Sequence, residues 1–176
     1  HHYCSRRQRQ MCIRDRSGIY PNCLTSRPKR HMTIRDLLTH MSGLTYDFMY
    51  RTNVDAAYRK TKAQQAESLE EFVEILSTIP LEFSPGDKWN YSVATDVLGY
   101  LVEVLSGYKL EEYFNKFIFE PLEMIDTSFS CPEEKLDRLC SLYEHNPKGE
   151  PRLLEIPFLN TKMESGGGGL FSTMSD

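Results

Sequence analysis

Met32-Thr33-Ile34-Arg35-Asp36-Leu37-Leu38-Thr39-His40-Met41-Ser42-Gly43-Leu44 is a short capped helix with a sharp exit. Thr33 and Asp36 have the spacing of a capping box. The threonine hydroxyl can accept from the Asp36 N–H while the Asp36 carboxylate answers the N–H of Thr33. The carboxylate also sits at the positive end of the helix dipole. Leu37 and Leu38 supply an apolar face, and Gly43 can adopt the left-handed conformation that ends a helix. The predicted helix covers 33–41.

Downstream, the chain reads as a succession of helices. Asn53 is a candidate cap for a helix across 54–65, and Ser68 with Glu71 forms a second capping box. That box opens a helix carrying Leu69, Phe72, Val73, Ile75 and Leu76, with Pro80 beyond its end. Ser84-Pro85-Gly86-Asp87 is a turn. From Ser92 runs the strongest helical pattern. Val93, Val97, Leu101 and Leu105 repeat every fourth residue, Ala94, Leu98 and Val102 broaden the stripe, and Gly107 stops it. Leu110, Tyr113, Phe114, Phe117 and Ile118 mark a further amphipathic helix ending before Pro121. Residues 141–145 and 152–156 flank Asn146-Pro147-Lys148-Gly149 as a hairpin, and a last helix is expected to begin around Leu170–Asp176.

Two stretches resemble a known family. The run 32–44 resembles the "T-x-R-D-L-L-x-H-x-S-G-L" segment of the β-lactamase-related serine hydrolases, which include class C β-lactamases, D-alanyl-D-alanine peptidases and carboxylesterases. Phe83-Ser84-Pro85-Gly86-Asp87-Lys88-Trp89-Asn90-Tyr91-Ser92 resembles the family's "F-x-P-G-x-x-W-x-Y-S" run. The resemblance spans about residues 27–176 and implies an α+β, β-lactamase/penicillin-binding-protein-like fold, of which this chain supplies mainly the helical region plus a β-hairpin. It also implies a partial domain over 17–176, truncated at both ends.

By position, Tyr91 matches the tyrosine that takes the nucleophile's proton. A phenol ionises near pH 10, so it serves as a base only where its surroundings favour phenolate or relay the proton onward. A helix N-terminus helps. Outside this context a half-buried, hydrogen-bonded tyrosine would be the ordinary reading. The lactamases and peptidases carry Y-x-N, whose asparagine contacts a substrate amide. Here that position is Val93, an apolar substrate contact that leans the resemblance toward the esterases. Gly166–Leu170 resembles the family's "G-G-L" edge, which makes Gly168 and Gly169 candidate substrate-binding residues.

The nucleophile has no counterpart. The family's serine lies in S-x-x-K, and two matches occur, Ser26–Lys29 and Ser106–Lys109. The first leaves no room for the apolar helix that should carry its lysine, and the second straddles the helix stop at Gly107; both are rejected. Neither K-T-G nor H-x-G is present. His40 and Ser42 lack a G-x-S-x-G elbow and read as a helix end beneath the site.

The resemblance therefore implies a fragment of a serine hydrolase. It would cleave a small-molecule ester or amide through an acyl-enzyme, esterase-like, with no metal or organic cofactor. The alternative is a non-catalytic binding or scaffold protein of the same fold.

Bulk properties agree with a globular domain: 176 residues, 40% apolar and 26% charged. Arg6, Arg7, Arg9, Arg14 and Arg16 against Asp15 give residues 1–16 a net charge of +4, which leaves −8 on the rest from a total of −4. An acidic body argues against a nucleic-acid partner. No apolar run reaches the roughly 20 residues of a membrane span. The five cysteines show no ligand spacing. Segment 1–16 lacks periodicity and resembles translated adapter sequence joined to a gene, so it is set aside from the fold.

Overall fold

The helix at 34 starts as its cap predicts and stops early. The computed structural model describes residues 13–14, 25–147, 149–154, 159 and 162–176. Helix α1 is Ile34–Leu38, and Thr33 caps it with both arms of the capping box made, Thr33 N–H donating to the Asp36 carboxylate at 2.8 Å. The Arg30 guanidinium grips the same carboxylate with two bonds of 2.7 Å. That grip, with help from Thr33, holds the Asp36 carboxyl well below the usual carboxylate range. The left-handed residue that turns the chain is His40, at φ 54°, rather than Gly43. Gly43 has φ 86° for a different reason: a Cβ there would lie 2.4 Å from the Phe83 carbonyl oxygen. The two motif runs meet at that glycine.

Helix α2 is Asn53–Thr61, and its cap is Thr52, not Asn53, with Asp55 closing the box. Helix α3 is Leu69–Ser77. Ser68 accepts from the Glu71 N–H at 3.2 Å, but the Glu71 carboxylate reaches past the cap to the Glu67 N–H at 2.8 Å, so only half of the predicted box forms. Helix α4, Ala94–Ser106, ends on Gly107 at φ 78°, whose N–H donates to the Glu103 carbonyl. Helix α5, Leu110–Phe114, runs straight into a single π-turn over Asn115–Phe119, closed by Glu120 N–H on the Asn115 carbonyl at 2.9 Å. The helix predicted to end before Pro121 is thus two geometries in series.

α4 is the hub, packing against α1, α3 and α5. The core gathers Leu37, Leu44, Val54, Phe72, Leu76, Leu81, Val93, Ala94 and Leu110. The stripe along α4 is narrower than its sequence period. Val97, Leu98 and Val102 pack partly on the core, whereas Leu105 is 74% exposed. In their place α4 buries two residues without apolar side chains, Asp96 and Gly99.

The strands are short. β1, Ile13–Arg14, pairs antiparallel with β2, Thr25–Ser26, giving a piece of segment 1–16 a backbone partner where none was expected. β3, Leu142–Glu144, pairs antiparallel with β4, Arg152–Leu154, in the register Leu142 opposite Leu154. This is the predicted hairpin, lying on the surface. No helix forms after Leu170; Phe171 and Ser128 exchange two backbone bonds instead, and Thr127 donates to Asp176 at 2.9 Å. The architecture is a helical body with a small antiparallel hairpin, as a helical region of a β-lactamase/penicillin-binding-protein-like fold should be.

Candidate active site

The two motif runs are laced together by backbone hydrogen bonds. Glu82 N–H donates to the Gly43 carbonyl (2.9 Å), Gly86 N–H to Met41 (2.8 Å), Asn90 N–H to His40 (2.9 Å) and Val93 N–H to Thr45 (3.4 Å). Two of these bonds bracket Tyr91. Its backbone is therefore fixed by the loop that follows α1, three residues before α4 begins at Ala94.

Arg30 and Lys29 brace the turn. Lys29 Nζ pairs with Asp87 at 2.9 Å and its N–H donates to the buried Ser84 hydroxyl, also at 2.9 Å. A Cβ on Gly86, at φ 88°, would lie 2.1 Å from an Arg30 guanidinium nitrogen, so only glycine lets that side chain cross the turn to reach Asp36.

Beneath the run lies a polar platform. Asn90 donates to the Leu44 carbonyl (2.8 Å) and to Glu82 (3.2 Å), and accepts from the Arg51 guanidinium. The Thr52 hydroxyl donates to Glu82 at 2.7 Å, and the Thr45 hydroxyl to Asp55 at 2.9 Å. Burial raises the Glu82 carboxyl, the Thr52 bond opposes it, and the Asp55 charge raises it further. Burial would raise Asp55 too, but the N–H groups of Arg51 and Thr52 with the Thr45 hydroxyl outweigh it and leave that carboxyl lowered. The pair has one preferred proton holder, Glu82.

Tyr91 itself is 44% exposed. Its ring lies between two others, His40 at 5.2 Å and Tyr46 at 5.1 Å between centroids, with Trp89 edge-on to His40 at 6.2 Å. His40 Nδ1 lies 3.3 Å from the Ser92 hydroxyl, so the histidine is tied to the start of α4. Ser42 is fully buried and accepts from the Leu44 N–H, a loop-closing role.

Val93 is 0% exposed and belongs to the core. Its side chain faces inward, where Val93 immediately precedes α4 and continues the buried face of Ala94. Gly168 and Gly169 sit on a surface turn. The Gly168 N–H donates to the Ser165 hydroxyl at 3.2 Å, and Gly169 has φ 116°. That turn is seated on α4, since a Cβ on Gly166 would lie 2.5 Å from the Thr95 carbonyl. Of the rejected serine-lysine pairs, Lys29 is engaged with Asp87 and Lys109 lies 3.5 Å from Glu103.

Two residues near the site were not singled out from the sequence, Tyr46, whose ring packs on Tyr91, and Asp96, buried in α4 against the glycine turn. The signal for Asp96 was a carboxylate inside an apolar helical stripe; Tyr46 was one aromatic among several in its loop.

Such an arrangement, a tyrosine presented at the mouth of the central helix of a helical body, has a known home. The Beta-lactamase family profile matches residues 20–176, and the chain belongs to that family. Among its relatives, Protein Rv1367c of Mycobacterium tuberculosis is 32% identical over 84% of this chain and 37% of its own length. Lovastatin esterase of Penicillium rubens is 37% identical over 68% of this chain and 29% of its own. Simvastatin synthase LovD of Aspergillus terreus, as a LovD6 mutant, superposes with a TM-score of 0.74 at 26% identity, covering 97% of this chain and 40% of that structure. The chain thus spans less than two fifths of the length of Protein Rv1367c and of lovastatin esterase.

Proposed function

We propose that this chain carries the base-bearing part of a serine hydrolase that cleaves small-molecule esters, with amides as the less favoured substrates. In this reading Tyr91 accepts the proton of a nucleophilic serine as that oxygen attacks the carbonyl, then returns it to the leaving alcohol or amine. Water, activated the same way, hydrolyses the acyl-enzyme. The serine and its lysine would come from sequence outside residues 1–176. The observation that carries the proposal is the placement of Tyr91: half-exposed, ahead of α4, its backbone pinned on both sides. The esterase branch is supported by the lovastatin esterase likeness and by an apolar residue in place of the Y-x-N asparagine. Val93 offers no side-chain amide to a substrate at that point. Gly168 and Gly169 would border the cleft through their backbone.

The decisive experiment is Tyr91→Phe in the full-length gene product. An esterase using this base should lose roughly a hundredfold or more in kcat with its fold intact. An unchanged rate returns Tyr91 to a packing role, whereas a full-length product with no esterase activity of its own favours the non-catalytic alternative. The chain 1–176 alone should show no serine adduct by mass spectrometry after exposure to a fluorophosphonate. A stoichiometric adduct at Ser26 or Ser106 would overturn the rejection of those pairs.

A further inference from the structure

Tyr91 sits in the middle of a run of five aromatic rings. Phe48 stacks on Tyr46 with centroids 4.7 Å apart and planes 20° from parallel. Tyr46 meets Tyr91 at 5.1 Å, Tyr91 meets His40 at 5.2 Å, and His40 meets Trp89 edge-on at 6.2 Å. The two ends and the middle face solvent: Phe48 is 55% exposed, Trp89 66% and Tyr91 44%. Tyr46 is buried and joins the run to the core. The ends come from separate loops, and each is held. Phe48 lies in a short turn, Asp47–Met49, whose first carbonyl accepts from the Arg59 guanidinium. The same guanidinium lies over the Tyr50 ring at 4.1 Å, so one cation of α2 clamps the turn on both flanks of Phe48. Trp89 lies between Asp87, tied to Lys29, and Asn90, whose N–H donates to the His40 carbonyl at 2.9 Å.

Large apolar rings left in water on a pinned backbone mark a binding surface. We propose that the arc from Phe48 to Trp89 is the specificity surface of the site, and that it takes a flat, uncharged aromatic group carried by the ester. This rests on Tyr91 being the base, since that role puts the reacting carbonyl beside the arc. Three features select the ligand. Aromatic rings have faces and edges of opposite polarity, and they favour offset-stacked or edge-to-face partners over a saturated ring of equal size. None of the five carries a permanent charge, so a charged group seated on them would lose hydration with little return. Each ring has only two side-chain torsions and sits on a fixed backbone, so little ordering cost is left for the moment of binding. A substrate can carry its ring in the alcohol or in the acyl part. The arc likewise leaves Tyr91 in two directions, toward Trp89 and toward Phe48.

The test uses ester pairs of matched reactivity. Benzyl acetate and cyclohexylmethyl acetate differ in the ring of the alcohol; methyl phenylacetate and methyl cyclohexylacetate differ in the ring of the acyl part. Trp89 is the single tryptophan of the sequence, so its emission in the chain 1–176 reports directly on one end of the arc. The aromatic member of at least one pair should give a saturable change in that emission. Its half-saturating concentration should be about threefold to tenfold below that of the alicyclic partner. In the full-length gene product the same preference should appear in kcat/KM and be carried by KM. Trp89→Leu and Phe48→Leu should each lower it for one of the pairs.

Two pairs that fail to discriminate in the unaltered chain overturn the proposal without recourse to any variant. So does a preference that survives both leucine substitutions. Trp89 emission that changes on dilution of the chain, with no response to the esters, would assign the arc to a second copy and overturn it equally. Tyr91→Phe keeps the ring, and binding is read without turnover, so the outcome is separable from the catalytic assignment. Discrimination intact alongside full activity in the full-length Tyr91→Phe enzyme would overturn only the role of Tyr91 as base.

Discussion

Gly43 shows how much one missing side chain can decide. The Phe83 carbonyl approaches it so closely that a β-carbon would stand 2.4 Å from the oxygen, in a backbone conformation of φ 86° that other residues resist. Gly43→Ala must therefore either strain its own backbone or push the second motif run away from the first. We expect a loss of about 1–3 kcal/mol in stability, measured by urea unfolding. We also expect weaker fluorescence coupling between Trp89 and the rings beside it, because Asn90 and Val93 would lose their register on the loop. An alanine variant of native stability would mean that Phe83 can withdraw at no cost. At this scale the sequence was partly legible. The need for glycine was visible, but its reason, a contact with a residue forty positions away, was not. The burial of Val93 was hidden for a related cause, since a motif position tells which residue replaces an asparagine and not which way it points.

Among the elements, the polar platform under Asn90 is the one whose energetics change with pH. Glu82 has its carboxyl raised by burial and by Asp55, so the folded protein binds that proton more tightly than the unfolded chain does. Its contribution to stability is therefore fully present below the ordinary glutamate range and declines as pH rises through the folded value. Asp55 runs the other way: held low by backbone N–H groups, it contributes above the ordinary aspartate range and loses that contribution in acid. Glu82→Gln keeps acceptor and donor capacity without the charge. It should stabilise the protein at pH 7 relative to the parent sequence and lose that advantage near pH 4, a reversal seen by comparing unfolding midpoints at the two values. If Glu82→Gln is equally destabilising at both, the carboxylate is paired rather than frustrated. Caps and stops of the helices were readable because they depend on neighbours three or four positions apart. The early end of α1 and the π-turn after α5 were not, since each is settled by tertiary packing; the α2 cap was there to be read, because Thr52 and Asp55 repeat the T-x-x-D spacing of Thr33 and Asp36. The absence of a helix after Leu170 belongs here too; Phe171 finds a backbone partner in Ser128, a pairing no local pattern announces.

For the molecule as a whole, α4 divides inside from outside. Leu110 is 1% exposed against the core, with one of its methyls near the position a Gly99 β-carbon would take, whereas Leu105 is 74% exposed. Leu110→Ala should cost about 2–5 kcal/mol, and Leu105→Lys should stay within about 0.5 kcal/mol of the unaltered protein. Thermal unfolding of the two variants side by side checks both. A large loss on Leu105→Lys would mean that its face is covered in solution. The backbone bonds between the two motif runs have a final consequence at this scale. They tie off residues 46–81 as a closed excursion, entered and left beside Tyr91. The entropy of closing such an excursion grows only with the logarithm of its length, about 0.6 kcal/mol for each doubling. Relatives can therefore lengthen, shorten or redecorate the stretch around α2 while the tyrosine stays where it is, provided Phe72 and Leu76 keep their seats in the core. The stem of the excursion is conservative by geometry, and its crown is free to diversify.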